Sequence, residues 1–116
     1  MTYKFMNGWL VKIEDVDKIK KAIQIDKATA LEKLYVYGWA VKVEMAYCLN
    51  YEEAVNSLRY VCGDRFIEES CGFVIMKAGF KYLVLDITAL CELCECGSGF
   101  DSDNLYSLYD LLEGKF

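Results

Sequence analysis

The sequence predicts an α+β fold formed by a single domain over residues 1–116. Three observations lead to this prediction. With 55% hydrophobic and 27% charged residues, a chain of 116 residues can build one core and has little length left for a second. Segments of alternating apolar residues are interleaved with segments of helical periodicity. Their order is not a strict strand–helix alternation, which favours an antiparallel or mixed sheet of about five strands with helices packed mainly on one face.

The N-terminal segments predict a hairpin and then helices. Asn7-Gly8 supplies the positive φ angles of a type I′ turn, and its flanks are rich in strand-forming residues. Asp15 or Asp17 can cap the helix that follows, whose apolar residues repeat at core spacing. The segments are the strands Thr2–Met6 and Trp9–Ile13, a helix with Val16, Ile19, Ala22 and Ile23 on its apolar face, and a second helical stretch through Asp26–Leu34.

The middle of the chain predicts a long strand, a well-capped helix and a second hairpin. Polar and apolar residues alternate within Tyr35–Tyr47, which indicates a strand with one buried face. Asn50 is a favourable N-cap for a helix over Tyr51–Cys62, and Gly63 ends that helix. The strands of the second hairpin are Gly72–Met76 and Phe80–Leu85.

The C-terminal quarter predicts two further helices. Apolar residues recur at helical spacing in Ile87–Glu95, and the glycines that follow stop this helix. Asp101 or Ser102 can cap a last helix over Asp103–Leu112. Its apolar stripe is formed by Leu105, Leu108, Tyr109 and Leu112.

The net charge of −5 is concentrated at the C-terminal end. Residues 1–85 carry 12 basic and 11 acidic side chains, whereas residues 86–116 carry one and seven. Such an end repels nucleic acid and attracts a basic protein surface. A solvated acidic tail that aids solubility is the alternative interpretation of the same charges.

These charges lead to the first functional hypothesis, a non-enzymatic module whose acidic C-terminal region binds a basic surface on another protein. Phage-encoded inhibitors of host nucleases or other defence proteins are of this class, because carboxylates can occupy positions where phosphates would bind. Tyrosine is also favoured at interfaces. The candidate partner-binding residues are Glu92, Glu95, Asp101, Asp103, Tyr106, Tyr109 and Asp110. The alternative is that the last helix simply packs on the sheet.

The second hypothesis is a small zinc-binding structural or regulatory module. Cys91 and Cys94 have the two-residue spacing of a zinc ligand pair, with Cys96 beside them and Cys62 or Cys71 as a further ligand. The chain contains no histidine, so such a site would use cysteine or carboxylate ligands. The same cysteines also fit the core stripe of a helix, because cysteine buries readily as a small apolar residue.

The third hypothesis is a small-molecule-binding domain with an aromatic pocket between sheet and helices. An enzyme is not predicted, because histidine is absent and no phosphate-binding loop or facing carboxylate pair is found. Basic residues are not interleaved with aromatic ones, which argues against direct nucleic-acid binding. No apolar run is long enough to span a bilayer and the N-terminal sequence is unlike a signal peptide, so we expect a cytoplasmic protein without a required cofactor.

Overall fold

A six-stranded sheet organises the computed structural model, which describes residues 3–45, 50–93 and 105–116. The strand order is β3-β4-β5-β1-β2-β6, and every neighbouring pair is antiparallel except the parallel pair of β2 and β6. The elements are β1 (Tyr3–Lys12), α1 (Val16–Ile25), α2 (Lys27–Tyr37), β2 (Gly38–Met45), α3 (Tyr51–Cys62), β3 (Phe66–Ser70), β4 (Phe73–Ala78), β5 (Lys81–Leu93), β6 (Leu105–Ser107) and α4 (Leu108–Leu112). The mixed sheet confirms the α+β class, with six strands in place of about five.

Helices pack on both faces of the sheet, so the prediction that they lie mainly on one face is wrong. Helices α1 and α2 cover one face, where they bury Trp9 and Val84. Helices α3 and α4 cover the other, where they bury Met6 and Leu85. The signal for this arrangement lies in β4, in which Phe73–Met76 is buried at every position, as expected of a strand enclosed on both faces.

The predicted N-terminal hairpin is wrong, because Asn7-Gly8 lies inside the continuous strand β1. This strand pairs with β2 on one side and β5 on the other. Gly8 is buried, and a Cβ atom at this position would lie 2.8 Å from Cδ2 of Leu85. The glycine therefore permits close packing in the centre of the sheet and makes no turn.

Several helical predictions are confirmed because local signals define them. The whole predicted apolar face of α1 is buried, and α3 has the predicted bounds. The Asn50 side chain accepts a hydrogen bond from the Glu53 N–H at 2.9 Å, and Asp26 accepts one from the Thr29 N–H at 2.6 Å. The bond from Thr29 also lowers the pKa of Asp26. Helix α2 continues to Tyr37, so the strand predicted from Tyr35 begins only at Gly38.

The predicted hairpin of β4 and β5 is confirmed, but β5 continues to Leu93 in the segment predicted as the helix Ile87–Glu95, of which residues 94 and 95 lie outside the described residues. Its pairing with β1 overrides the helical periodicity, and a bulge separates the two stretches of pairing. Strand β3 was not predicted, because three consecutive polar residues leave it with little apolar pattern.

Of the last predicted helix, Asp103–Leu112, the described residues are helical over α4. Residues 105–107 instead form β6 beside β2, and residues 101–104 lie outside the described residues. Ser107 is the N-cap and accepts a hydrogen bond from the Asp110 N–H at 3.2 Å.

Candidate ligand-binding pocket

A pocket of about 340 Å³ opens on the face that α1 and α2 cover, between α2 and the strands β5, β1 and β2. The two helices bury the apolar residues at one end of this face, and the pocket lies next to these residues, at the edge of α2. It is lined by Asn7, Gly8, Trp9, Leu31, Tyr35, Ala40, Val41, Lys42 and Asp86. This volume lies at the lower end of the range for small-molecule sites, which typically combine apolar walls with a few polar groups.

Three polar pocket residues form one row across the sheet. Asn7 of β1 is paired in register with Asp86 of β5 on one side and with Lys42 of β2 on the other. Neighbouring strands are about 4.8 Å apart, so the three side chains stand side by side on one face. We call Asp86, Asn7 and Lys42 the polar row. The next row on this face, formed by Val84, Trp9 and Ala40, carries no charge.

The Lys42 end of the polar row is oriented by a hydrogen bond. Its Nζ donates to Oδ1 of Asn7 at 2.8 Å, and both side chains are half-buried. Because the Asn7 oxygen accepts this bond, its amide N–H₂ group is the end that can donate to a bound molecule. This part of the pocket therefore presents an ammonium and an amide donor next to each other.

Asp86 forms the opposite end of the row and is only 4% exposed. Its Oδ1 accepts hydrogen bonds from the Thr88 N–H at 3.1 Å and the Thr88 hydroxyl at 2.7 Å. Nζ of Lys27 lies 3.4 Å from the same oxygen and also donates to the Thr88 hydroxyl. These contacts offset the free energy of burying a carboxylate, and they connect the first residue of α2 to β5. Among the described residues all of these contacts fall on Oδ1, which leaves Oδ2 as the acceptor for a ligand.

The aromatic wall of the pocket is formed by Trp9 and Tyr35. Trp9 is 4% exposed, and the edge of its ring meets Tyr35 with ring centroids 6.2 Å apart. A Cβ atom at Gly38 would lie 2.8 Å from Cβ of Trp9, so this glycine lets the end of α2 approach β1 closely. The indole Nε1 is buried without a hydrogen-bond partner within the described part of the chain. An unpaired buried donor typically destabilises a fold by about 1–3 kcal/mol, which marks this wall as a site of strain.

The described residues that were predicted to bind a partner do not line this pocket. Tyr109 and Asp110 are exposed on α4, and Tyr106 is half-buried in β6, where its ring lies 6.1 Å from that of Trp39. Glu92 belongs to β5, and its side chain is not described. Glu95, Asp101 and Asp103 lie outside the described residues, so the predicted surface as a whole stays a prediction.

The predicted zinc site falls largely outside the described residues as well. Cys94 and Cys96 are not described, and Cys91 is known only as a β5 residue paired with Phe5. Cys62, proposed as a further ligand, is buried with its Sγ 3.5 Å from Sδ of Met76. Burial raises the pKa of its thiol to about 11, as expected for a core residue. Over residues 3–45, 50–93 and 105–116, no group of three or more cysteine or carboxylate side chains is placed to hold a metal ion.

The polar row was missed in the sequence because its members are far apart along the chain. The local sequence indicates a turn at Asn7 and places Lys42 on the polar side of an alternating strand. One signal was available: Asp86 follows the apolar run Leu83–Leu85 and precedes Ile87, and a buried acid in such a run points to a polar partner or a functional site.

Comparison with known proteins gives no assignment, because no family model, curated protein or solved structure matches this chain. Among the helices described, none is long and apolar enough to cross a membrane.

Proposed function

We propose that this protein binds a small molecule in the pocket beneath α2. The observation that carries the proposal is the polar row, which places a buried carboxylate, an amide and an ammonium on the floor of one pocket. The rest of this sheet face is covered by the apolar sides of two helices. Three polar groups in register there cost free energy if they serve packing alone. Aromatic and aliphatic walls beside a few convergent polar groups are typical of small-molecule sites.

Trp9 provides a direct measurement of binding. The chain has two tryptophans, and Trp39 is 43% exposed on the opposite face, so the variant Trp39→Phe leaves the pocket tryptophan as the only one. A library of small metabolites is screened by the fluorescence of this variant and by the melting temperature. We expect at least one compound to change the emission of Trp9 and to raise the melting temperature, because a ligand that binds only the folded state stabilises it.

Filling the pocket tests whether such a compound binds there. Ala40 is an exposed residue at the pocket rim, so Ala40→Phe can occupy the pocket without disturbing the core. Ala28→Phe is the matched control, because Ala28 is exposed on α2 and does not line the pocket. We expect Ala40→Phe to abolish binding and Ala28→Phe to leave it unchanged. A screen without a single pocket-dependent ligand would refute the proposal.

A second proposal keeps the protein-binding hypothesis, as a cytoplasmic inhibitor of the phage-encoded class that binds a basic partner. It is favoured by α4, where Tyr109 is 65% exposed next to the exposed Asp110. Its test is capture of a stoichiometric partner from nuclease-treated lysate, repeated with the variant that replaces Asp101, Asp103 and Asp110 by asparagine. We expect weaker capture and a smaller salt dependence in the variant. Unchanged capture and salt dependence would exclude the electrostatic mechanism.

A further inference from the structure

We infer that the ligand of this pocket is a free α-amino acid with an apolar or aromatic side chain, an inference that rests on the proposed small-molecule function. The polar row offers an acceptor at one end, Oδ2 of Asp86, and donors at the other, the Asn7 amide and the Lys42 ammonium. A ligand that matches this order has a cationic donor at one end and an anionic acceptor at the other.

The spacing of the row fits a small zwitterion. Backbones of neighbouring strands are about 4.8 Å apart, and hydrogen bonds to charged groups are about 2.8 Å long. In an α-amino acid the ammonium and the carboxylate are separated by a single carbon. The ammonium can therefore donate to Asp86 while the carboxylate, one strand further along, accepts from Asn7 and Lys42.

Charge supports the same order. Lys27 and Thr88 contact Oδ1 of Asp86, and Asp86 lines the pocket, which leaves Oδ2 as the oxygen of this carboxylate for a ligand donor. A hydrogen-bond donor such as a ligand ammonium fits this oxygen, because a carboxylate oxygen only accepts hydrogen bonds, and a ligand anion placed against it would have no donor to offer. An anion fits next to the Lys42 ammonium for the opposite reason.

The walls and the volume define the rest of the ligand. Leu31, Tyr35, Trp9 and Ala40 line the pocket around the polar row, and they favour an apolar side chain. A volume of about 340 Å³ lies at the lower end of the range for small-molecule sites, which favours a ligand about the size of a single amino acid. Phenylalanine has this size and is the probe of choice.

The test compares three probes by calorimetry and by the fluorescence of the Trp39→Phe variant. The probes are L-phenylalanine, 3-phenylpropionate, which lacks the ammonium, and 2-phenylethylamine, which lacks the carboxylate. We expect phenylalanine to bind at least about tenfold more tightly than either analogue, because each lacks one charge-assisted hydrogen bond. If either analogue binds as tightly as phenylalanine, the inference is overturned while the proposed pocket function stands.

Two variants assign the ends of the ligand. Lys42→Met should weaken phenylalanine and 3-phenylpropionate about tenfold and leave 2-phenylethylamine unchanged. Asp86→Asn should weaken phenylalanine and 2-phenylethylamine and leave 3-phenylpropionate unchanged. Circular dichroism checks that each variant folds. If Asp86→Asn is unfolded, the binding pattern of Lys42→Met tests the assignment on its own. An equal loss for all three probes in Lys42→Met would overturn the assignment.

The remaining outcomes separate this inference from the proposal on which it rests. If none of the three probes binds but another compound binds in a manner abolished by Ala40→Phe, the amino-acid inference is wrong and the pocket function is supported. If no compound of either set binds, both are wrong.

Discussion

The two faces of the sheet differ in how completely the helices cover them. On the face of α3 and α4, buried apolar side chains continue across the four central strands, with Met76, Leu85, Met6 and Val43 as examples. On the face of α1 and α2, the apolar surface of β5, β1 and β2 ends at the row of Trp9, and the polar row with its pocket follows, flanked on β4 by the buried Phe73. The first face is therefore a closed hydrophobic core, whereas the second combines a smaller core with the candidate ligand-binding pocket.

The difference between the two faces shows how a chain of this size can combine stability with the proposed binding. Burial of apolar surface supplies most of the favourable free energy of folding, and the larger of the two apolar clusters lies on the closed face. The open face can therefore carry a buried carboxylate and an unpaired indole N–H, both of which are unfavourable for folding.

The largest expected effect compares one substitution on the two faces. Leu58→Ala removes a fully buried side chain of α3 from the closed core, and we expect a loss of about 2–5 kcal/mol in the free energy of unfolding. Leu31→Ala removes a half-buried side chain from the pocket wall, for which we expect no more than about 1.5 kcal/mol. Urea unfolding measures both, and equal losses would contradict the distinction between the two faces.

An intermediate effect is expected for the ion pair beneath the pocket. Lys27→Met leaves the buried Asp86 carboxylate with Thr88 alone, and we expect a loss of about 1–2 kcal/mol because the Lys27 side chain is itself 41% exposed. Lys115→Met is the control, since Lys115 lies 2.9 Å from its partner Glu113 and both side chains are more than half exposed. Its expected loss is smaller, because solvent screens an exposed ion pair. Chemical denaturation measures the free energy of unfolding of both variants. A loss in the control as large as that of Lys27→Met would contradict the idea that the buried Asp86 carboxylate depends on Lys27.

An effect confined to alkaline pH is expected on the closed face. Burial raises the pKa of Cys62 from 9.0 to about 11, so the folded state retains its proton where the unfolded state loses it. The stability that this thiol contributes is present below pH 9 and is lost as the pH rises towards 11. Denaturation at several pH values should show a shallower decline over this interval in Cys62→Ala than in the parent chain. An identical decline would show that the thiol is not desolvated.

Local sequence signals were sufficient to predict those elements whose bounds or buried face depend on a few neighbouring residues. The Asn50 cap and the terminal Gly63 gave the bounds of α3, and the apolar spacing gave the buried face of α1. The same kind of local reasoning failed at Asn7-Gly8 and at Ile87, where pairing with distant strands decides the conformation.

The pocket could not be predicted residue by residue for the same physical reason. Its existence between sheet and helices was one of three hypotheses, but Asn7, Lys42 and Asp86 become neighbours only through the register of β1 with two other strands. A shift of one residue in either register would move Lys42 or Asp86 to the opposite face. Local sequence patterns do not specify register between strands this far apart in the chain.

The central position of β1 also has a consequence for synthesis of the chain on the ribosome. Its two partners are β2, which follows after two helices, and β5, which begins only at Lys81. A nascent chain that has paired β1 with β2 therefore still has an unpaired strand edge in the middle of its future sheet. Exposed edges of this kind promote association between chains, and closing such a long loop is slow. The sheet thus completes its centre late in translation, when β5 emerges and inserts between β1 and β4.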